Sequence, residues 1–181
     1  MRTTLLTLTL PLIAVALVAG GAGDAEARRK QPKIPTEQQL SKAIGGQGSF
    51  APAIFKELKK GMSPGEVKDV FSRMTRVSTY GYAKAKIKGY KGVWFLRFHF
   101  ARDDESEKRE LLKSAQIVYK AKLRKNDTFF PLMMKLSQAK WGQATDAGQV
   151  ARKIVTWLSD DKKQVIQFAR FGDRYELNYE L

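Results

Sequence analysis

The chain has 181 residues, with 33 Lys and Arg against 18 Asp and Glu, one His and no Cys, for a formal charge of +15. The missing cysteines exclude disulfides, thiolate metal sites, a cysteine nucleophile and a lipid-modified cysteine. The cationic excess predicts attraction to polyanions or to an acidic protein, and is silent about fold.

Residues 1–27 read as a secretory signal peptide. Arg2 precedes an apolar run over 5–19, and small residues lead to Ala25-Glu26-Ala27, with cleavage expected after Ala27. The run is shorter than the ~20 residues a membrane span needs, and Pro11 interrupts it. Arg28-Arg29, just past the cleavage point, keep a retained anchor as the alternative. Cleavage would take away one cation, Arg2, and two carboxylates, Asp24 and Glu26, leaving a still more basic chain. A periplasmic or secreted location follows, and export argues against nucleic acid as the partner.

Residues 28–35, RRKQPKIP, form a basic linker. Thr36 is placed to cap a helix in which Leu40 and Ile44 lie one turn apart, with Gly45-Gly46 as the stop. A second short helix is expected over 52–60, with Phe55 and Leu58 on one side.

The stretch Gly61-Met62-Ser63-Pro64-Gly65-Glu66 fits two patterns. Read as G-x-S-x-G, it would make Ser63 a hydrolase nucleophile on a sharp turn between a strand and a helix. The preceding residues are helical in character, however, and the only histidine, His99, lies in the middle of an alternating strand. Read as S-x-x-E, Ser63 caps a helix, Pro64 fills its first position and Glu66 reaches back to the serine amide. The second reading accounts for every residue type present and predicts a helix whose apolar stripe is Val67, Val70, Phe71 and Met74.

Beyond Met74 the period changes to two. Strands are expected over 82–90, 93–101 and 115–123, with a hairpin at Gly89-Tyr90-Lys91-Gly92 and a charged loop over 103–110. Asn126-Asp127-Thr128 then offers caps for a helix carrying Phe129, Leu132, Met133 and Leu136, with Pro131 tolerable only in its first turn. Three more strands follow over 150–159, 163–171 and 173–181, turning at Asp160-Asp161-Lys162 and Gly172-Asp173. The expected class is α+β, with tandem helix-plus-three-strand antiparallel meander units and helices packed on one sheet face. Residues 36–125 would hold the first unit and residues 126–181 the second.

The motif Gly61-Met62-Ser63-Pro64-Gly65-Glu66-Val67 resembles the G-M-[ST]-x-x-[EQ]-V stretch that opens a helix in BamE-like small envelope proteins, a fold group that includes the beta-lactamase inhibitor protein. The resemblance implies helices packed on an antiparallel sheet, and a periplasmic or secreted interaction protein without catalysis. The lipid-carrying cysteine of the BamE pattern is missing here.

Other chemistry is weaker. Ser137-Gln138-Ala139-Lys140 matches S-x-x-K, but neither S-D-N nor K-T-G occurs. The acidic run at 103–107 lacks the glycine and the terminal glutamate spacing of a calcium loop. A single histidine without partner ligands makes a poor transition-metal site. No enzyme activity, metal or cofactor is expected.

The strongest feature is a face. If Ala83, Ala85 and Ile87 point inward, then Tyr82, Lys84, Lys86, Lys88 and Tyr90 project from the other side. Burying Trp94, Leu96, Phe98 and Phe100 leaves Val93, Phe95, Arg97 and His99 outside. The next strand leaves Gln116, Val118, Lys120 and Lys122. Cations interleaved with aromatic rings suit an acidic protein or envelope component, and peripheral contact with a membrane surface is compatible with them. The alternative is a binder of polyanionic surfaces: lipopolysaccharide, anionic lipid or nucleic acid. Oligomeric state is not legible.

Overall fold

The computed structural model describes residues 34–102, 110–145 and 154–181. The signal peptide at 1–27, the linker up to residue 33, the acidic run at 103–107 and the start of the strand expected at 150 lie outside the described residues. No helix among the described residues is long and apolar enough to cross a membrane.

Helix α1, Glu37–Ile44, opens as expected: Thr36 Oγ1 accepts from the Gln39 amide and the Gln39 side chain accepts from the Thr36 amide. Its buried face is Leu40, Ala43 and Ile44. The expected helix at 52–60 is only a 3-10 turn over Ala53–Phe55, although Phe55 and Leu58 are both buried as foreseen.

Helix α2, Pro64–Val70, is short, and Ser63 is its N-cap. The Glu66 amide donates to Ser63 Oγ at 3.3 Å, while the Ser63 amide and hydroxyl both donate to Glu66 Oε2 at 2.7 Å. Ser63→Ala should therefore lower stability by about 1 kcal/mol in chemical denaturation. These bonds favour the ionised carboxylate and hold the Glu66 pKa below the ordinary glutamate value. A depressed folded pKa contributes stability that is complete above the unfolded value near ~4.3 and lost as pH falls through the folded one. Glu66→Gln should flatten that acid limb of the stability curve, and an unaltered limb would show that Glu66 does not act there. Helix α2 stops at Val70 because Phe71 leaves helical geometry, so the expected stripe is finished by a turn: Phe71 is half-buried and Met74 buried.

Among the described residues six strands follow: β1 Tyr82–Ala85, β2 Val93–Ala101, β3 Leu111–Tyr119, β4 Ile154–Leu158, β5 Val165–Phe171 and β6 Arg174–Glu180. Helix α3, Phe129–Trp141, lies between β3 and β4, with Pro131 in its first turn. Asn126 Oδ1 accepts from the amide and hydroxyl of Thr128, holding the entry to α3. The strands form one antiparallel sheet in the order β1-β2-β3-β6-β5-β4, so the two meanders join side by side along β3 and β6. The fold is α+β, with the helices packed on one face of the sheet.

That face carries the core. Leu96, Phe98 and Phe100 of β2, Ile117 and Tyr119 of β3, and Tyr175, Leu177 and Tyr179 of β6 meet Leu40, Ile44, Val67, Phe129 and Met133 of the helices. Phe55 joins the two halves: its ring lies 6.3 Å from Phe98 and 6.3 Å from Tyr179, stacked on the latter. Both outer strands are also shielded by backbone. The Thr75 amide donates to Lys84 O on β1, and the Thr145 amide to Thr156 O on β4, which caps edges that would otherwise recruit another chain.

Three expected strand boundaries are corrected. β1 ends at Ala85 rather than at residue 90, because its partner β2 is irregular beyond Leu96 and the ladder has no continuation there. β3 begins at Leu111 and ends at Tyr119; a 3-10 turn over Ala121–Lys125 follows, with Leu123 still buried. On β2 the registered pairs run from Val93 with Tyr119 directly to Phe95 with Val118, so Trp94 is an extra residue, a β-bulge. The bulge reverses the phase at the start of the strand. Val93 turns into the core, and Trp94, expected inside, stands outside.

Candidate functional site

No described helix packs on the opposite face of the sheet. At its β1–β2 end, Trp94 and Phe95 lie side by side on this face, ring centroids 5.0 Å apart, because the bulge places consecutive residues there. Trp94 is 47% exposed, whereas Phe95 is buried beneath its neighbours. Lys84 Nζ sits 5.2 Å from the Phe95 ring centre, and the Arg97 guanidinium 5.7 Å from it. From β6, the Arg174 guanidinium covers Trp94 at 4.9 Å. Together with Arg73, Thr75 and Lys86 these side chains line a groove of about 550 Å³.

The groove is electrostatically one-sided. Arg73, Lys84, Lys86, Arg97 and Arg174 bring five cations to an aromatic floor. Arg97 is partly committed within the protein. It donates to Gln116 Oε1 at 3.0 Å and lies 3.6 Å from the buried carboxylate of Glu176. Those contacts fix its guanidinium over Phe95, so Arg97 positions the floor more than it offers free charge. Arg174 likewise donates to Asp173 at 2.8 Å, on the exposed turn into β6. Lys84 and Lys86 are exposed, and their ammonium groups supply the mobile charge at the rim.

The structure divides the residues that sequence singled out. Lys84, Lys86, Phe95 and Arg97 come together in the groove. Tyr82 is on the same face, 41% exposed, and stacks on His99 with centroids 4.7 Å apart, next to the groove rather than in it. Lys88 is exposed but lies in the link after β1, outside the groove lining. Tyr90 turns the other way: it packs against the core, with Lys42 of α1 5.1 Å from its ring centre, because the strand that would have held it outside has ended. Lys120 and Lys122 lie past the end of β3 and line a separate recess with Ile34, Pro35, Gln39 and Lys91.

Sequence reasoning missed Trp94, Arg73, Thr75 and Arg174. The alternation of β6 does put Arg174 opposite Tyr175 and Tyr179, but only the β3–β6 pairing carries it across to Trp94. The four successive apolar residues Val93-Trp94-Phe95-Leu96 fit either phase, so the sequence does not place the bulge at Trp94.

The serine motifs are occupied structurally. Ser63 is the cap described above. Ser137 is sealed in the core on α3, while Lys140 donates to Gly46 O at 2.8 Å. Among the described residues no group of three or more His, Cys, Asp or Glu could hold a metal ion. The chain has no match among protein-family models, curated proteins or solved structures.

Proposed function

We propose that the protein is an exported, non-catalytic binding module that captures an acidic protein on the sheet face opposite the helices. The observation that carries this reading is the half-exposed Trp94 beside Phe95 inside a ring of five cations. A tryptophan kept in water costs hydrophobic free energy unless a partner covers it, and rigid aromatic anchors surrounded by charge are the usual centre of a protein interface. The cations steer an acidic partner and set its orientation, and the rings retain it. The resemblance of residues 61–67 to the BamE-like helix opening, with the signal-like N-terminus, supports an envelope location and an interaction role.

The second reading, a binder of polyanionic surfaces, draws on the overall charge of +15. Salt separates the two. A phosphate-dominated contact weakens steeply and continuously with salt, whereas an interface anchored by aromatic burial persists past the first loss of steering. Proteins retained from an envelope extract at about 0.5 M salt, beyond the range where exposed charges attract, should be lost with Trp94→Ala. The expected loss of affinity is about thirtyfold or more, the scale of an aromatic hot spot. Retention by Trp94→Ala equal to that of the wild type would sink the reading.

A further inference from the structure

Resting on that groove as the partner site, we propose that its occupant is an extended acidic peptide segment lying across the strands, from β1 to β4. The register aligns one outward residue per strand in a single row. Lys84 pairs with Arg97, Arg97 with Gln116, Gln116 with Asn178, Asn178 with Gln167, and Gln167 with Thr156. At ~4.8 Å between neighbouring strands the row is ~24 Å long. That is the reach of about seven residues of extended chain.

The row changes character along its length. Two cations stand at the groove end, followed by three side-chain amides and a hydroxyl. Amides and hydroxyls both donate and accept, which matches a peptide main chain with its alternating N–H and C=O groups. Polyphosphate or a nucleic-acid backbone presents acceptors and uniform charge, and would find cations at one end only. In the middle of the row Asn178 Nδ2 donates to Glu180 at 3.3 Å, while Asn178 Oδ1 is closed off from solvent and does not face the occupant.

Calorimetry at about 0.15 M salt tests the path with three probes: synthetic peptides of about seven and about three residues, each acidic with one tyrosine, and inorganic polyphosphate. The longer peptide should bind about tenfold tighter than the shorter. Gln167→Leu combined with Thr156→Val should bring it down to the level of the shorter one, whose own affinity stays unchanged. Should that pair unfold the edge, Gln167→Glu is the second variant: it keeps the volume, repels an acidic chain and must weaken only the longer peptide. Unchanged affinity of the longer peptide in these variants overturns the path across the strands and leaves the groove reading standing. Unchanged binding of both peptides in Lys84→Glu/Lys86→Glu overturns the groove as well. Tighter binding of polyphosphate than of either peptide overturns the peptide as occupant.

Discussion

Replacing Lys84 and Lys86 with glutamate should abolish capture of the acidic partner, with a loss of at least about a hundredfold, because like charges set against each other at an interface cost several kcal/mol. Both side chains are exposed, so the change of charge by itself should cost the fold no more than about 0.5 kcal/mol. Lys84 sits over the Phe95 ring, which adds at most about 1 kcal/mol to that change. The decisive control is Lys120→Glu/Lys122→Glu. It alters the net charge by the same amount, but its residues line the recess beside Pro35 and Gln39. Partner capture that survives the control and fails in the groove variant assigns recognition to a place. Equal losses in both would assign it to overall charge and favour the polyanion reading.

Phe55→Ala should lower stability by about 3–5 kcal/mol, the range for removing a fully buried phenylalanine. The size of the effect follows from where the ring lies. Phe55 contacts Phe98 on β2, Tyr179 on β6 and Phe71 after α2, so the cavity would open where the two meanders share their core. Urea unfolding followed by Trp94 on β2 in one variant and by Trp141 and Trp157 of the second half in another, the remaining tryptophans replaced by phenylalanine, should move together to lower urea with one midpoint. Two separated transitions would mean that the meanders are independent cores. Phe55→Leu, which leaves a smaller cavity, provides a milder variant if the alanine protein does not fold, and should move both probes by the same smaller step.

Much of the architecture was legible because it depends on patterns that neighbouring residues carry by themselves. The strand at 93–101 and the helix at 129–141 were read to their observed ends, since each has a long apolar pattern with a stop on both sides. The caps at Thr36 and Ser63 were readable for a similar reason. A hydroxyl three residues before a glutamine or glutamate satisfies free amides within one turn, whatever the rest of the chain does. Short or interrupted segments were less legible. Tyr82 to Tyr90 alternates strictly, yet pairing stops at Ala85 because the partner strand is irregular, and no property of the nine residues records what the partner does.

The same distinction explains the site. Lys84, Lys86, Phe95 and Arg97 were found by alternation, which is local. Trp94 was misplaced because a bulge is defined by the count of residues on two strands, and Arg174 was missed because it reaches the groove only through the pairing of β6 with β3. By itself the sequence determined the charge, the absence of thiol chemistry, the starts of α1, α2 and α3 and their order among the strands, all of which arise from composition or from contacts within a few residues. Tertiary structure alone decided that both meanders share one sheet, that Tyr90, Lys120 and Lys122 leave its outer face, and that a tryptophan stands among five cations. Those outcomes depend on register between strands far apart in the chain, and register is set by the packing of the whole core.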